Sequence, residues 1–464
     1  MTVDQIREFD VIVLGAGPAG EVCAGQLAEA DLSVALVEQE LVGGECSFYA
    51  CMPSKALLRP AQALAEVHRV AGAAEAVTGS LDVPAALARR DQIIHELDDS
   101  AQLPWLEDRE IALFRGHGEI EGERRLRVGD QLLAARRAIV LAPGSGAAMP
   151  PIDGLATAEP WTSREATTAK VIPKSLLVLG GGVVAAELAQ AYASLGARVT
   201  IVERLDRLIS HEEELASGLV REALEHDGVE VLLGAKVTGV QRERGVAGGG
   251  RGELTMSLED GRTLSAEELL VASGREARTH ALGLESLGLD DGGFVEVDET
   301  LRVPGFDWLY VIGDANGRVL LTHMGKYQAR LIAARILGRP QELRSDGAQS
   351  PRVIFTEPQV AAVGHTLASA RAAGVSVRAV DRPLTVAGES FVGHGAPGAA
   401  RIVIDIERGV LLGATFVGVE VAEWLHAATI AVVGEVPIER LAHAVPAFPT
   451  RSEVWLGLIA DAIG

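Results

Sequence analysis

The chain writes one short pattern twice. Val11–Leu14 is an apolar, β-branched run followed by Gly15-Ala16-Gly17-Pro18-Ala19-Gly20, a helix-forming stretch to Ala30, a second apolar run Ser33–Val37, and then Glu38. Leu176–Leu179 begins the pattern again, followed by Gly180, Gly182 and Ala185, a helix-forming stretch through Leu195, the strand-forming Arg198–Val202, and Glu203. Gly15 to Glu38 and Gly180 to Glu203 are both offsets of 23 residues. A glycine-rich turn alone is weak evidence for any ligand, but two with equal offsets predict two βαβ nucleotide-binding units. The glycines allow a tight turn and a bare backbone beside a pyrophosphate. The helix N-terminus offers unpaired N–H groups and a positive dipole end, and the acid closing the second strand accepts hydrogen bonds from a ribose diol.

The rest of the chain can be placed around these units. Ala138–Gly144 and Leu269–Gly274 are apolar strands closing on glycine after each unit, and the segment between Gly228 and Leu264 reads as antiparallel strands around a loop tip at Gly245–Gly252. From Ser350 the texture changes to an α+β pattern, with a helix over Leu367–Gly374 and a linker near Gly338–Ser350. The length of 464 residues suits several domains with sizeable cores. A net charge of −22 repels phosphate backbones and anionic lipid, so small molecules are the expected partners, with neither nucleic acid nor membrane among them. Met1–Asp10 is charged, and the apolar run from Val11 is too short for a span. The three cysteines, Cys23, Cys46 and Cys51, are too few for a secreted disulfide framework, so a reducing compartment, the cytoplasm, is expected.

Two of those cysteines lie in Gly43-Gly44-Glu45-Cys46-Ser47-Phe48-Tyr49-Ala50-Cys51-Met52-Pro53-Ser54-Lys55. On a regular α-helix such a pair would stand roughly 8–9 Å apart, beyond the ~7 Å Cα limit of a disulfide. Bonding therefore requires a distorted first turn, for which Gly43, Gly44 and Pro53 are suitably placed, and a strained bond is the more easily reduced. The other readings are two small core residues or half a metal site. No second ligand pair accompanies the cysteines, so no metal is expected.

The chain resembles the pyridine nucleotide–disulfide oxidoreductase family of flavoproteins. The Gly15/Gly17/Gly20 turn, GGECSFYACMPSK, LAPGS, LGGGVVAAEL, VASGR, VIGDANG, FTEPQVAAVG and PTRSE follow in family order nearly end to end. The resemblance implies an α/β fold of two Rossmann-like nucleotide-binding domains plus a C-terminal α+β dimerisation domain. The FAD domain would cover 1–150 and 275–345, the NAD(P) domain 151–274 and the interface domain 346–464, paired in a homodimer. It implies FAD at the first unit, with Glu38 on the adenosine ribose and Asp314 on the ribityl chain, and a nicotinamide dinucleotide at Gly180, Gly182 and Glu203. Gly44, Gly118, Gly144, Val237, Gly274 and Thr322 complete the implied cofactor contacts. Cys51 resembles the thiol facing the flavin, Cys46 the interchange thiol that meets the substrate, Lys55 the lysine beside flavin N5, and Glu187 its carboxylate partner. NAD(H) is preferred over the alternative NADP(H), because Glu203 would meet a 2′-phosphate with like charge; Ala185 in place of a third glycine and Arg204 argue the other way.

One departure concerns the reaction itself. Family disulfide reductases end in His-Pro-Thr-x-Ser-Glu, whose histidine serves the partner subunit's interchange cysteine. Here the stretch is Ala447-Phe448-Pro449-Thr450-Arg451-Ser452-Glu453, so Glu453, the catalytic carboxylate implied by the resemblance, lacks the histidine it would orient. Phenylalanine moves no proton. His443, His323 and Tyr49 are the candidate substitutes, each more simply read as structural. No cysteine follows Cys51, which disfavours a mercuric-reductase type. The expected activity is an FAD-dependent NAD(P)H oxidoreductase with a redox-active Cys46–Cys51 disulfide, passing electrons to a disulfide or other small acceptor. The alternative is a diaphorase-like quinone reductase or transhydrogenase acting at the flavin without the cysteines.

Overall fold

A computed structural model describes residues 6–243, 252–396 and 398–464; the loop tip expected at Gly245–Gly252 lies outside them except for Gly252. Contacts divide the chain into two units. The first runs to Pro53 and includes Asp91–Ala147 and Arg275–Gly347, while the second comprises Ser54–Arg90, Ala148–Gly274 and Ala348–Gly464.

The first unit is built on β1 (Arg7–Leu14), whose Val11, Ile12 and Val13 are fully buried. A strand covered on both faces reads as a continuous apolar run, as parallel sheets require. β1 pairs in parallel with β2 (Val34–Glu38) on one side and β3 (Gln131–Leu141) on the other. Ala112–Arg115 extends the sheet in parallel beyond β2, and Leu309–Val311 lies parallel to β3. Helix α1 (Pro18–Ala28) crosses from β1 to β2 and packs on helix α6 (Thr322–Ile336).

The second unit repeats the device. β4 (Ser175–Leu179), β5 (Arg198–Val202), Glu230–Leu232 and β6 (Glu268–Val271) form a four-stranded, wholly parallel sheet, with helix α4 (Val183–Ser194) between β4 and β5 and helix α5 (Glu214–His226) between β5 and Glu230–Leu232. This corrects part of the sequence reading. Val237–Arg242, Leu254–Leu258 and Thr263–Ala266 are antiparallel as expected, but Glu230–Leu232 pairs in parallel with β5, placing Val231 in the core. The C-terminal part is a five-stranded antiparallel sheet of Arg352–Ile354, Gln359–Gly364, Val410–Gly418, Ala399–Asp405 and Val377–Pro383, in that order. The helices Leu425–Val433 and Val454–Ile463 pack into its core. Leu367–Ala372 is helical, as the sequence predicts. Among the described residues no helix is long and apolar enough to cross a membrane.

Candidate active site

The two glycine turns are closely similar in geometry. Gly15 has φ +101°, and a Cβ there would lie 2.1 Å from the Ala142 carbonyl oxygen. Gly180 has φ +116°, and its Cβ would lie 2.4 Å from the Ala272 carbonyl oxygen. Only glycine combines that backbone with that contact. Gly17 and Gly182 cap α1 and α4 in extended backbone without any side-chain cap bond, and a Cβ on either would meet nothing within 4 Å. Each turn therefore presents open space and unpaired N–H groups at a helix N-terminus, a seat for phosphate. The copies differ at the third position. A Cβ on Gly20 would lie 1.8 Å from the Gly15 carbonyl oxygen, whereas the second turn buries Ala185 completely.

The carboxylates that close the second strands sit over these turns. Glu38 Oε2 accepts from the Ala16 N–H at 2.7 Å and Oε1 from the Glu40 N–H at 2.8 Å. Glu203 is buried at 8% exposure, and its Oε1 accepts from the Leu205 N–H at 2.7 Å. Its Oε2 stands 2.9 Å from where a Gly181 Cβ would be. Asp314, in the short helical turn Gly313–Asn316, accepts from the Ser145 hydroxyl, with Arg275 at 3.9 Å. Burial raises its carboxyl above the usual range, against the lowering effect of Ser145 and Arg275. A half-buried carboxyl beside a serine and an arginine suits a polyhydroxyl chain.

The cysteine segment leaves the first turn directly. Gly44 has φ +60°, and a Cβ on it would stand 2.7 Å from Gly17 Cα, so helix α2 (Gly44–Phe48) starts against the glycine turn. A single distorted helical turn is expected from the sequence, but the helix instead breaks. Tyr49 ends α2 with φ −130° and ψ −7°, and helix α3 (Cys51–Arg69) begins afresh at Cys51. Both cysteines are free thiols. The Thr322 hydroxyl donates to Cys46 Sγ at 3.1 Å and lies 3.4 Å from Cys51 Sγ. One hydroxyl thus touches both sulfurs from the first residue of α6. The Cys46 thiol is pushed well up, first by its hydrogen bond with Cys51 and then by burial; Thr322 and Lys326 act against that rise.

In the second unit Lys55 Nζ and Glu187 Oε2 are 2.6 Å apart, with Glu187 buried at 3% exposure. Glu187 Oε1 accepts from the Phe355 N–H at 2.9 Å, and Lys55 Nζ stands 4.8 Å over the Phe355 ring. Both carboxylate oxygens are therefore satisfied, as burial demands. Phe355, Ser145 and Arg275 are partners that the sequence reading missed, although all three lie in segments it quoted, FTEPQVAAVG, LAPGS and VASGR.

Other expected site residues are dispersed. Gly118 is buried where a Cβ would meet Leu14, Leu126 and Val37 side chains. Val237 opens the strand Val237–Arg242 and is buried, while Gly144 and Gly274 have φ of +77° and +152°. Phe448 is 80% exposed. Glu453 Oε1 accepts from the Thr450 N–H at 2.7 Å as half of a capping box, which gives this carboxylate a local partner in place of a histidine. His323 and His443 are exposed. Among the described residues no three histidine, cysteine or acidic side chains group as a metal site.

The chain is similar to known proteins over nearly its whole length. The family model described as pyridine nucleotide-disulphide oxidoreductase matches residues 9–329, and the dimerisation domain of that family matches 350–458. A dihydrolipoyl dehydrogenase of Thermus scotoductus is 32% identical over 459 residues, covering 97% of this chain and 96% of that protein. A dihydrolipoyl dehydrogenase of Chlamydia pneumoniae is 29% identical over 461 residues, covering 97% and 96%. Among solved structures, the HOCl-induced flavoprotein disulfide reductase RclA from Escherichia coli superposes with TM-score 0.84 at 25% identity, covering 97% of this chain and 99% of that one. LpdA from Mycobacterium tuberculosis also gives TM-score 0.84, at 24% identity and 99% and 100% coverage, a likeness of fold.

Proposed function

Since this chain belongs to the pyridine nucleotide-disulphide oxidoreductase family, we propose that it is an FAD- and NAD(P)H-dependent reductase in which Cys46 and Cys51 are the redox pair. The observation that carries this reading is the convergence of both thiols, from two separate helices, on the Thr322 hydroxyl, with α2 starting at the glycine turn. The residues fit the flavin nucleotide. Gly17 and the bare N-terminus of α1 would take its diphosphate, Glu38 its ribose and Asp314 its ribityl chain. When bound, FAD supplies the two-electron chemistry that couples a nicotinamide to a dithiol. Gly182, the N-terminus of α4 and Glu203 would hold the nicotinamide nucleotide, and the Glu203 carboxylate favours NADH.

The dithiol then acts as follows. The Cys46 thiolate attacks an acceptor disulfide, forming a mixed disulfide as the acceptor S–S bond breaks, and the first leaving thiolate takes a solvent proton. The Cys51 thiolate attacks the Cys46 sulfur, closes the Cys46–Cys51 bond and releases the second thiolate, so that two electrons have passed to the acceptor. Phe448 brings no proton to this exchange, and its exposed ring favours a flat apolar acceptor such as a quinone over lipoamide.

We assign 1–150 with 275–345 to FAD, 151–274 to the nicotinamide nucleotide and 346–464 to a homodimer interface. The last assignment is supported by the exposed Ile430, Leu456 and Ile463 around an apolar cavity of about 530 Å³. Three free cysteines suit a reducing compartment, and we place the protein in the cytoplasm. Anaerobic titration with NADH tests the reading. One equivalent should expose two alkylatable thiols at Cys46 and Cys51 that are blocked in the oxidised protein. NADH-driven quinone reduction undiminished in Cys46→Ala, with no such thiols, would establish the diaphorase reading instead.

A further inference from the structure

Thiol exchange needs Cys46 as a thiolate, yet its hydrogen bond with Cys51 and its burial both hold the proton on. The family's histidine position is Phe448, and Glu453 is occupied by its capping box. A charge that favours the Cys46 thiolate must therefore come from another side chain.

Helix α6 places one there. Thr322, its first residue, contacts both sulfurs, and Lys326 is four residues on. Residues at i and i+4 lie on one helix face, so Lys326 shares the face of α6 that carries Thr322. Gly325 fixes the neighbouring surface: a Cβ there would be 3.2 Å from both Ala19 Cβ and Gly313 Cα, so α6 is pressed against α1 beside this face. Lys326 is half-buried and forms no hydrogen bond or ion pair among the described residues. Its charge acts on two acids: it draws the Cys46 thiol down, and it draws down Glu21, in the first turn of α1, without forming an ion pair with it.

We propose that Lys326 is a positioning residue for the reaction, a half-buried cation on the Thr322 face of α6 that stabilises the thiolate of Cys46 in place of the histidine absent at Phe448. This rests on the reading of Cys46 and Cys51 as the redox pair. Lys326 supplies charge and takes up no proton, so exchange depends on solvent for proton transfer.

The test is the pH profile of iodoacetamide alkylation at Cys46, read by peptide mass on the FAD-loaded enzyme after reduction with NADH or with dithiothreitol. Lys326→Met should move the alkylation midpoint up by about one pH unit and slow labelling at neutral pH about tenfold. Lys326→Arg, which keeps the charge, should stay within about twofold of the unmodified enzyme. A Lys326→Met profile that superimposes on the unmodified one would overturn the proposal, as would an Arg variant displaced as far as the Met variant. If Lys326→Met does not fold with bound flavin, Lys326→Gln carries the same expectation. Should NADH expose no thiols while dithiothreitol does, the functional reading fails, and the Lys326 profile is still decided on the dithiothreitol-reduced protein.

Discussion

Replacing Glu21 with glutamine would isolate a single carboxyl whose protonation is controlled by the fold. Glu21 lies in the first turn of α1 and is pushed up to about 7 from an ordinary 4.5; burial is the main cause, Glu38 adds to it, and Lys326 opposes it. The folded protein therefore holds this proton more tightly than the unfolded chain does. The resulting stabilisation is complete below pH 4.5 and is lost as pH rises through about 7. That interval corresponds to about 3 kcal/mol. Glutamine is nearly isosteric and never ionises, so the Glu21→Gln variant should match the unmodified protein at acid pH and exceed it by up to about 3 kcal/mol above neutrality. Urea unfolding at about pH 5 and about pH 8, followed by flavin fluorescence and by far-ultraviolet circular dichroism, measures the difference. An advantage of the same size at both pH values would refute the reasoning, because packing rather than ionisation would then be responsible. A variant less stable at the higher pH would refute it outright.

Three further outcomes are expected. Glu187→Gln leaves the Lys55 ammonium beside a neutral amide in a buried setting; because Lys55 is itself 35% exposed, the loss should be about 2 kcal/mol rather than the full cost of breaking a buried pair, measured by urea unfolding. Phe448→His should raise lipoamide turnover by ~10²-fold or more in steady-state assays, because it restores a positioned acid/base; unchanged turnover would mean that the missing base is not what limits disulfide exchange. Glu203→Gln should shift the ratio of kcat/KM for NADPH over NADH by about tenfold toward NADPH, and an unchanged ratio would remove Glu203 from nucleotide selection.

What could be read from the sequence follows from how local each constraint is. The glycine turns were legible because phosphate binding needs its glycines at fixed offsets within one βαβ unit. The structure gives Gly15 and Gly180 closely matching backbone and neighbours. Glu230–Leu232 was misassigned because a three-residue strand carries too little periodicity to reveal its partner, and the neighbouring β5 decides its direction. The break between α2 and α3 was missed because neither Tyr49 nor Ala50 is a helix breaker by type; the strain expected of one helix is relieved by starting a second at Cys51. Lys55 and Glu187 lie 132 residues apart, and only the family resemblance joined them. Phe355, Ser145 and Lys326 went unnamed because their roles arise from tertiary packing.

Lys326 links the stability of Glu21 to the reactivity of Cys46, since one cation serves two acids in the same unit. Below neutral pH Glu21 is protonated and leaves the field of Lys326 to the thiol. As pH rises through about 7, the Glu21 carboxylate forms and draws the ammonium toward α1, where nothing else among the described residues pairs with it. The pH rise that favours the Cys46 thiolate thus weakens the charge stabilising it, and the alkylation profile should be flatter than that of a simple thiol. Glu21→Gln removes the competitor. Its Cys46 should alkylate faster than in the unmodified enzyme above neutral pH and at the same rate at about pH 5, a pattern that disappears in the Lys326→Met background. A Glu21→Gln effect that persists without Lys326 would show that Glu21 acts on the thiol directly and that the cation is not shared.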